Sequence, residues 1–84
     1  MTDYEKLRME LNNEKDYLKN KTLKTLLALT DKKTGKLPTE LYIDEDSVGK
    51  DFLKEILESL GYNFEYVEDY NPYHERFFYK GRLS

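Results

Sequence analysis

The residues best suited to chemistry stand in one run, Asp44-Glu45-Asp46-Ser47-Val48-Gly49, followed by Glu55. A calcium loop wants acids at its first, third and twelfth positions and glycine at its sixth, and Asp44, Asp46, Glu55 and Gly49 meet those demands. Its fifth position is Val48, which offers no side-chain oxygen, and its eighth is Asp51, where an apolar residue normally locks the loop. Val48 and Phe52 are also wanted by a helical apolar stripe, so the acids read instead as charges stabilising a helix start through its dipole. Other reactive types are sparse. The chain has one histidine, His74, and no cysteine, which removes thiolate metal sites, disulfides and most acid–base constellations. His74 sits in a proline turn and reads as solvated or turn-bonding. Ser47, Ser59 and Ser84 lack the setting of an activated nucleophile, and the glycines are too scattered for a phosphate loop. No pair of carboxylates is singled out by an apolar setting that would shift its pKa. The expectation is a protein that is not an enzyme and uses no cofactor and no metal.

What the chain has instead is aromatic side chains. Residues 61–81, GYNFEYVEDYNPYHERFFYKG, hold eight of its twelve Phe and Tyr residues. Asn71-Pro72-Tyr73-His74 fits a type I turn, with Asn favoured at the first position and Pro preset for the second. Counting outward from that turn pairs Tyr70 with Glu75, and Asp69 with Arg76, Val67 with Phe78 and Glu65 with Lys80 on one face of a hairpin. The other face carries Tyr62, Phe64, Tyr66, Phe77 and Tyr79, and these five rings are expected inside. Tyr70, Tyr73 and Phe78 are left near the turn and the outer face, beside Asp69, Glu75 and Arg76. Exposed tyrosine supplies contact area at low entropic cost, so these six residues form the candidate partner-binding surface.

The elements that position this surface follow from periodicity. Thr2 and Glu5 have capping-box spacing, and Tyr4, Leu7, Leu11 and Leu18 recur at helical intervals, which predicts a helix over 3–18. Leu23, Leu26, Leu27 and Leu29 continue the pattern, either as a second helix or as an extension of the first. DKKTGK, residues 31–36, reads as a turn, and Leu41 and Ile43 flanking Tyr42 give a short strand after Pro38. A further helix, capped by Asp44, Asp46 or Ser47, carries the stripe Val48, Phe52, Leu53, Ile56, Leu57 and Leu60 and stops at Gly61. The expected fold is α+β: an N-terminal helix or helix pair, then β-α-β-β, with a small, mainly antiparallel sheet packed on helices.

Composition bounds the rest. At 84 residues, 37% of them charged and 38% apolar, the chain reads as a single domain over 1–84, too apolar for disorder and too polar for a membrane span. The start of the chain is acidic and amphipathic where a signal peptide would be basic and then apolar, so the expected location is cytoplasmic. Residues 1–36 carry a net +3 and residues 37–84 a net −6. The basic part supplies the rival reading, a small winged-helix-like DNA-binding regulator using Lys19, Lys21, Lys24, Lys32 and Lys33. Against it, the helix before the hairpin is rich in Asp and Glu, which a DNA groove would repel.

The C-terminal run "LESLGYNFEYVEDYNPYHERFFYK" resembles the helix-plus-tyrosine-hairpin endings of small accessory and inhibitor proteins of phages and mobile elements in low-GC Gram-positive bacteria. The resemblance spans roughly 48–80. It implies a non-catalytic protein-binding module, an inhibitor or modulator of a host or cognate protein, in some cases through acidic mimicry of nucleic acid. A leftover apolar patch would also suit a homodimer.

Overall fold

A computed structural model describes residues 2–83; the side chains of Asn71 and His74 are excepted, so the role expected of His74 in the turn lies outside the described residues. Helix α1 spans Asp3–Asn13. Thr2 caps it as its spacing with Glu5 predicts: Thr2 Oγ1 accepts from the Glu5 amide at 3.2 Å and donates to Glu5 Oε1 at 3.2 Å. The helix does not run to residue 18. Asn12 and Asn13 end it, Glu14 turns extended, and Asp16 restarts the chain as the N-cap of α2, Tyr17–Leu29, by accepting from the Lys19 amide at 3.0 Å. The N-terminal part is therefore a helix pair, and Leu18, expected on the first helix's apolar stripe, lies exposed on the second. Short polar side chains that compete for backbone groups favour such a break.

The chain divides into two compact units, one up to Pro38 and one from Thr39 on. In the first, α1 packs on α2, and Leu7, Leu23, Leu26 and Leu37 are buried. The 31–36 turn closes on itself, with Asp31 accepting from the amides of Lys33 (2.7 Å) and Thr34 (3.1 Å). Gly35, at φ +70°, lies against Thr2, and its carbonyl accepts from the Tyr4 amide at 2.9 Å.

The second unit holds strand β1 (Glu40–Asp44), helix α3 (Lys50–Ser59) and the two strands of the hairpin, β2 (Tyr62–Asn71) and β3 (His74–Leu83). The sheet is antiparallel throughout, in the order β1-β3-β2. β3 is thus central, and β1 and β2, joined through α3, run parallel to each other on its two sides. The expected α+β fold, with its helix pair followed by β-α-β-β, is the one observed.

Two details of α3 differ from expectation. Its N-cap is Gly49 in the left-handed region (φ +78°), with no side-chain cap, rather than Asp44, Asp46 or Ser47. Val48 therefore precedes the helix and is 78% exposed instead of joining the apolar stripe. Leu57 is buried from that stripe, and Phe52, Leu53, Ile56 and Leu60 are half-buried. Gly61, at φ +103°, ends the helix as expected.

Candidate functional site

The hairpin register matches the one obtained by counting from the turn. Tyr70 faces Glu75, Asp69 faces Arg76, Val67 faces Phe78 and Glu65 faces Lys80. Only Pro72 and Tyr73 separate the strands, and among the described residues no non-glycine residue has positive φ, which excludes the mirror-image turns and type II and agrees with type I.

The two strands of the hairpin do not have the same company along their length. β1 pairs with β3 only from Phe78 to Arg82. A last bond joins the Glu45 amide to the Phe77 carbonyl (3.0 Å), and a turn closed by the Ser47 amide on the Asp44 carbonyl (3.0 Å) then carries the chain away. Beyond that point the hairpin continues as a two-stranded ribbon, with Tyr70 65% and Tyr73 93% exposed near its tip. The departing end of β1 leaves an open indentation of about 250 Å³ lined by Asp44, Glu45, Asp46, Glu75, Arg76 and Phe77.

Alternation divides the six candidate residues between two faces. Tyr70 and Glu75 share the face over which α3 lays Lys54; Asp69, Arg76 and Phe78 lie on the opposite one, and Tyr73 is in the turn. On the helix-side face, Tyr66 meets Tyr79 at 5.2 Å between centroids and Tyr70 meets Phe77 edge-to-face at 5.8 Å. Each exposed tyrosine there holds an acid. The Tyr66 hydroxyl reaches across β3 to donate to Glu45 Oε2 at 3.0 Å, and the Tyr70 hydroxyl donates to Glu68 Oε2 at 2.8 Å. Partial loss of water and then the hydrogen bond to Glu45 push the Tyr66 phenol up to about 12; the bond to Glu68 and that carboxylate's charge raise Tyr70. Both stay protonated donors at neutral pH.

The expectation that five rings lie inside needs correcting. Tyr62 alone is fully buried; Phe64, Phe77 and Tyr79 are half-buried, and Tyr66 is 43% exposed. The cause is the shortness of the cover, since β1 and α3 flank only the part of the hairpin remote from the turn. On the opposite face, Phe78 packs edge-to-face on Tyr42 of β1 at 5.5 Å. Its cations turn to β1: Arg76 to Asp44 at 3.8 Å, and Lys80 and Arg82 to Glu40 at 3.4 and 3.0 Å.

The lysines of the rival reading are all exposed, but they are not one stripe. At 100° per residue, Lys21 and Lys24 lie within about 60° of each other on α2 and Lys19 falls on another side. Lys32 and Lys33 belong to the following turn, where they help line an open cleft of about 580 Å³ with Thr2, Tyr4 and Leu27. The calcium-loop spacing is dissolved by the fold, with Asp44 ending β1 and Gly49 capping α3; among the described residues no group of three His, Asp or Glu side chains is placed to hold a metal ion. Among them, too, no helix is long and apolar enough to cross a membrane.

Glu45, Glu68 and Phe77 were missed as members of the candidate surface. Glu68 and Tyr70 share a face by alternation alone, and that signal was in the sequence; the reach of Tyr66 to Glu45 depends on the strand order and was not. Comparison with protein-family models, curated proteins and solved structures finds no match.

Proposed function

We propose that this chain is a non-catalytic protein-binding module whose contact surface is the far half of its tyrosine hairpin, serving as an inhibitor or modulator of a host or cognate protein of the kind its C-terminal resemblance implies. The observation that carries this reading is the ribbon's extension past β1, which leaves Tyr70 and Tyr73 standing in solvent among Glu68, Asp69, Glu75 and Arg76. Large aromatic side chains that the fold does not use for its own burial are the commonest anchors of protein contacts.

The test is affinity capture from the source lysate with the immobilised full chain, beside a Tyr70→Ala/Tyr73→Ala variant whose circular dichroism is unchanged. A stoichiometric protein retained by the first and lost by the second is the expected result. Retention of duplex nucleic acid with a steep salt dependence, abolished by Lys21→Ala/Lys24→Ala, would replace this reading with the DNA-binding one.

A further inference from the structure

The rings of the second unit differ in whether the chain supplies them with a cation. Lys54 Nζ sits 4.2 Å from the Tyr79 ring centroid and 6.0 Å from that of Phe64. On the opposite face the Arg76 guanidinium lies 5.7 Å from Phe78, and Lys80 Nζ lies 6.0 Å from Tyr42. The Tyr70–Phe77 pair has no such cation among the described residues. It has acids. Glu68 stands directly across the ladder from Phe77, and Glu75 directly across from Tyr70, so rings and carboxylates alternate on that face like the squares of a board. Neither Glu68 nor Glu75 lies within ion-pair distance of a described cation. Both acids and Tyr70 are exposed, and Phe77 is half-buried.

We infer that the Tyr70–Phe77–Glu68–Glu75 face docks a basic segment of the protein partner, an arginine or lysine of which lies against the edge-to-face ring pair, on the open face of one ring, between the two carboxylates. The inference rests on the protein-binding reading and adds the chemistry of the partner. Ring faces attract cations through their quadrupole, and a guanidinium stacked on a ring keeps its edge free to pair with a carboxylate. The same arrangement opposes the other occupants. Phosphates meet two uncompensated carboxylates, and a second copy docking through this same face would set Glu68 and Glu75 against their own likes.

The experiment is an NMR titration of the full chain, observing aromatic ring resonances, with an end-blocked peptide of alternating arginine and threonine. The controls are the same peptide with citrulline, the neutral isostere, in place of arginine, and a short DNA duplex. Tyr70 and Phe77 ring signals are expected to move and saturate with the arginine peptide. Tyr42 and Phe78 are expected to stay still, and both controls to be silent. Glu68→Gln/Glu75→Gln is expected to weaken the peptide about tenfold, while Glu65→Gln, an exposed acid on the other face and outside the proposed contact surface, leaves it unchanged. Equal response to the citrulline peptide, shifts confined to Tyr42 and Phe78, a response to DNA, or shifts that track self-association in sedimentation would each overturn the inference. If capture of a partner through Tyr70 and Tyr73 holds while Glu68→Gln/Glu75→Gln leaves it intact, the protein-binding reading stands and the cationic partner falls.

Discussion

The half of the hairpin remote from its turn and the half that carries the turn are written in the same alphabet, rings alternating with charges along both strands, yet they meet different fates. In the remote half Tyr62 is sealed, Phe64 lies on Gly81, and β1 adds Leu41 and Ile43 to the same face. In the turn half Tyr66 and Tyr70 keep much of their surface in water and tie their hydroxyls to glutamates. Alternation decides which face a ring takes; the lengths of the neighbouring elements decide whether anything meets it there. A pair of strands standing alone is marginal in water, so the turn half depends on the covered half for its order.

The largest effect expected of any change in this unit is at Leu57, fully buried on α3. Leu57→Ala should destabilise by about 2–5 kcal/mol, enough to leave so short a chain largely unfolded, as a shifted denaturant midpoint would report. Tyr70→Ala should move the same midpoint by no more than about 0.5 kcal/mol. Equal effects at the two sites would erase the distinction between the halves.

Next in size is Gly81. A Cβ there would stand 2.7 Å from the Phe64 ring, its partner across the ladder. Ring and strand would have to shift, and Gly81→Ala should cost about 1–3 kcal/mol. Combining it with Phe64→Leu should recover part of that loss, so that the two changes together fall short of their sum; strict additivity would mean that the ring does not need the glycine.

How much of this was legible follows from what each feature depends on. The register came from one local device, the Asn-Pro turn, and once its position is known every cross-strand pair is obtained by counting. The capping of α1 by Thr2 and the stop at Gly61 are local in the same way. The second helix's start at Asp16 was equally local but was masked by apolar residues that keep helical spacing across the break. The cap of α3 escapes local reading because acids before an apolar stripe look like caps, whereas Gly49 in the left-handed region is the residue that starts the helix. The exposure of Tyr66 was beyond local reasoning, since it follows from β1 being half the length of the strands it accompanies. The exposure of Tyr70 and Tyr73 near the turn, and the face that Glu68, Tyr70, Glu75 and Phe77 share, were legible by counting, while the arrival of Glu45 beside Tyr66 needed the sheet.

Alkaline pH sharpens the comparison through Tyr66. Its phenol rises from the ordinary 10.0 to about 12 in the folded chain, so between those values the folded state holds a proton that the unfolded state has released. The stabilisation is complete below pH 10 and drains away as pH climbs toward 12. Midpoints measured across that window should fall with pH, and less steeply in Tyr66→Phe. The late phenolate absorbance, isolated as the difference between the two proteins, should belong to Tyr66. A difference spectrum that titrates at the ordinary value would mean that the hydroxyl never engages Glu45.

The smallest effects lie in the ion pairs of the opposite face, where the same contrast recurs in charge. Glu40, beside the covered half, is shared by Lys80 and Arg82, and the Lys80 side chain is only 23% exposed; Asp44, toward the turn half, meets Arg76 alone at 3.8 Å with both groups largely in solvent. Screening by water and salt leaves an exposed pair about 0–0.5 kcal/mol, while an acid shared by two cations, one of them partly sheltered, keeps nearer 1 kcal/mol. Glu40→Gln should thus lower stability measurably and lose part of its effect in high salt, and Asp44→Asn should change almost nothing. The reverse order would mean that Arg76 and Asp44 hold the turn half in place, and the ribbon would then owe its order to charge at its own base and not to the covered half behind it.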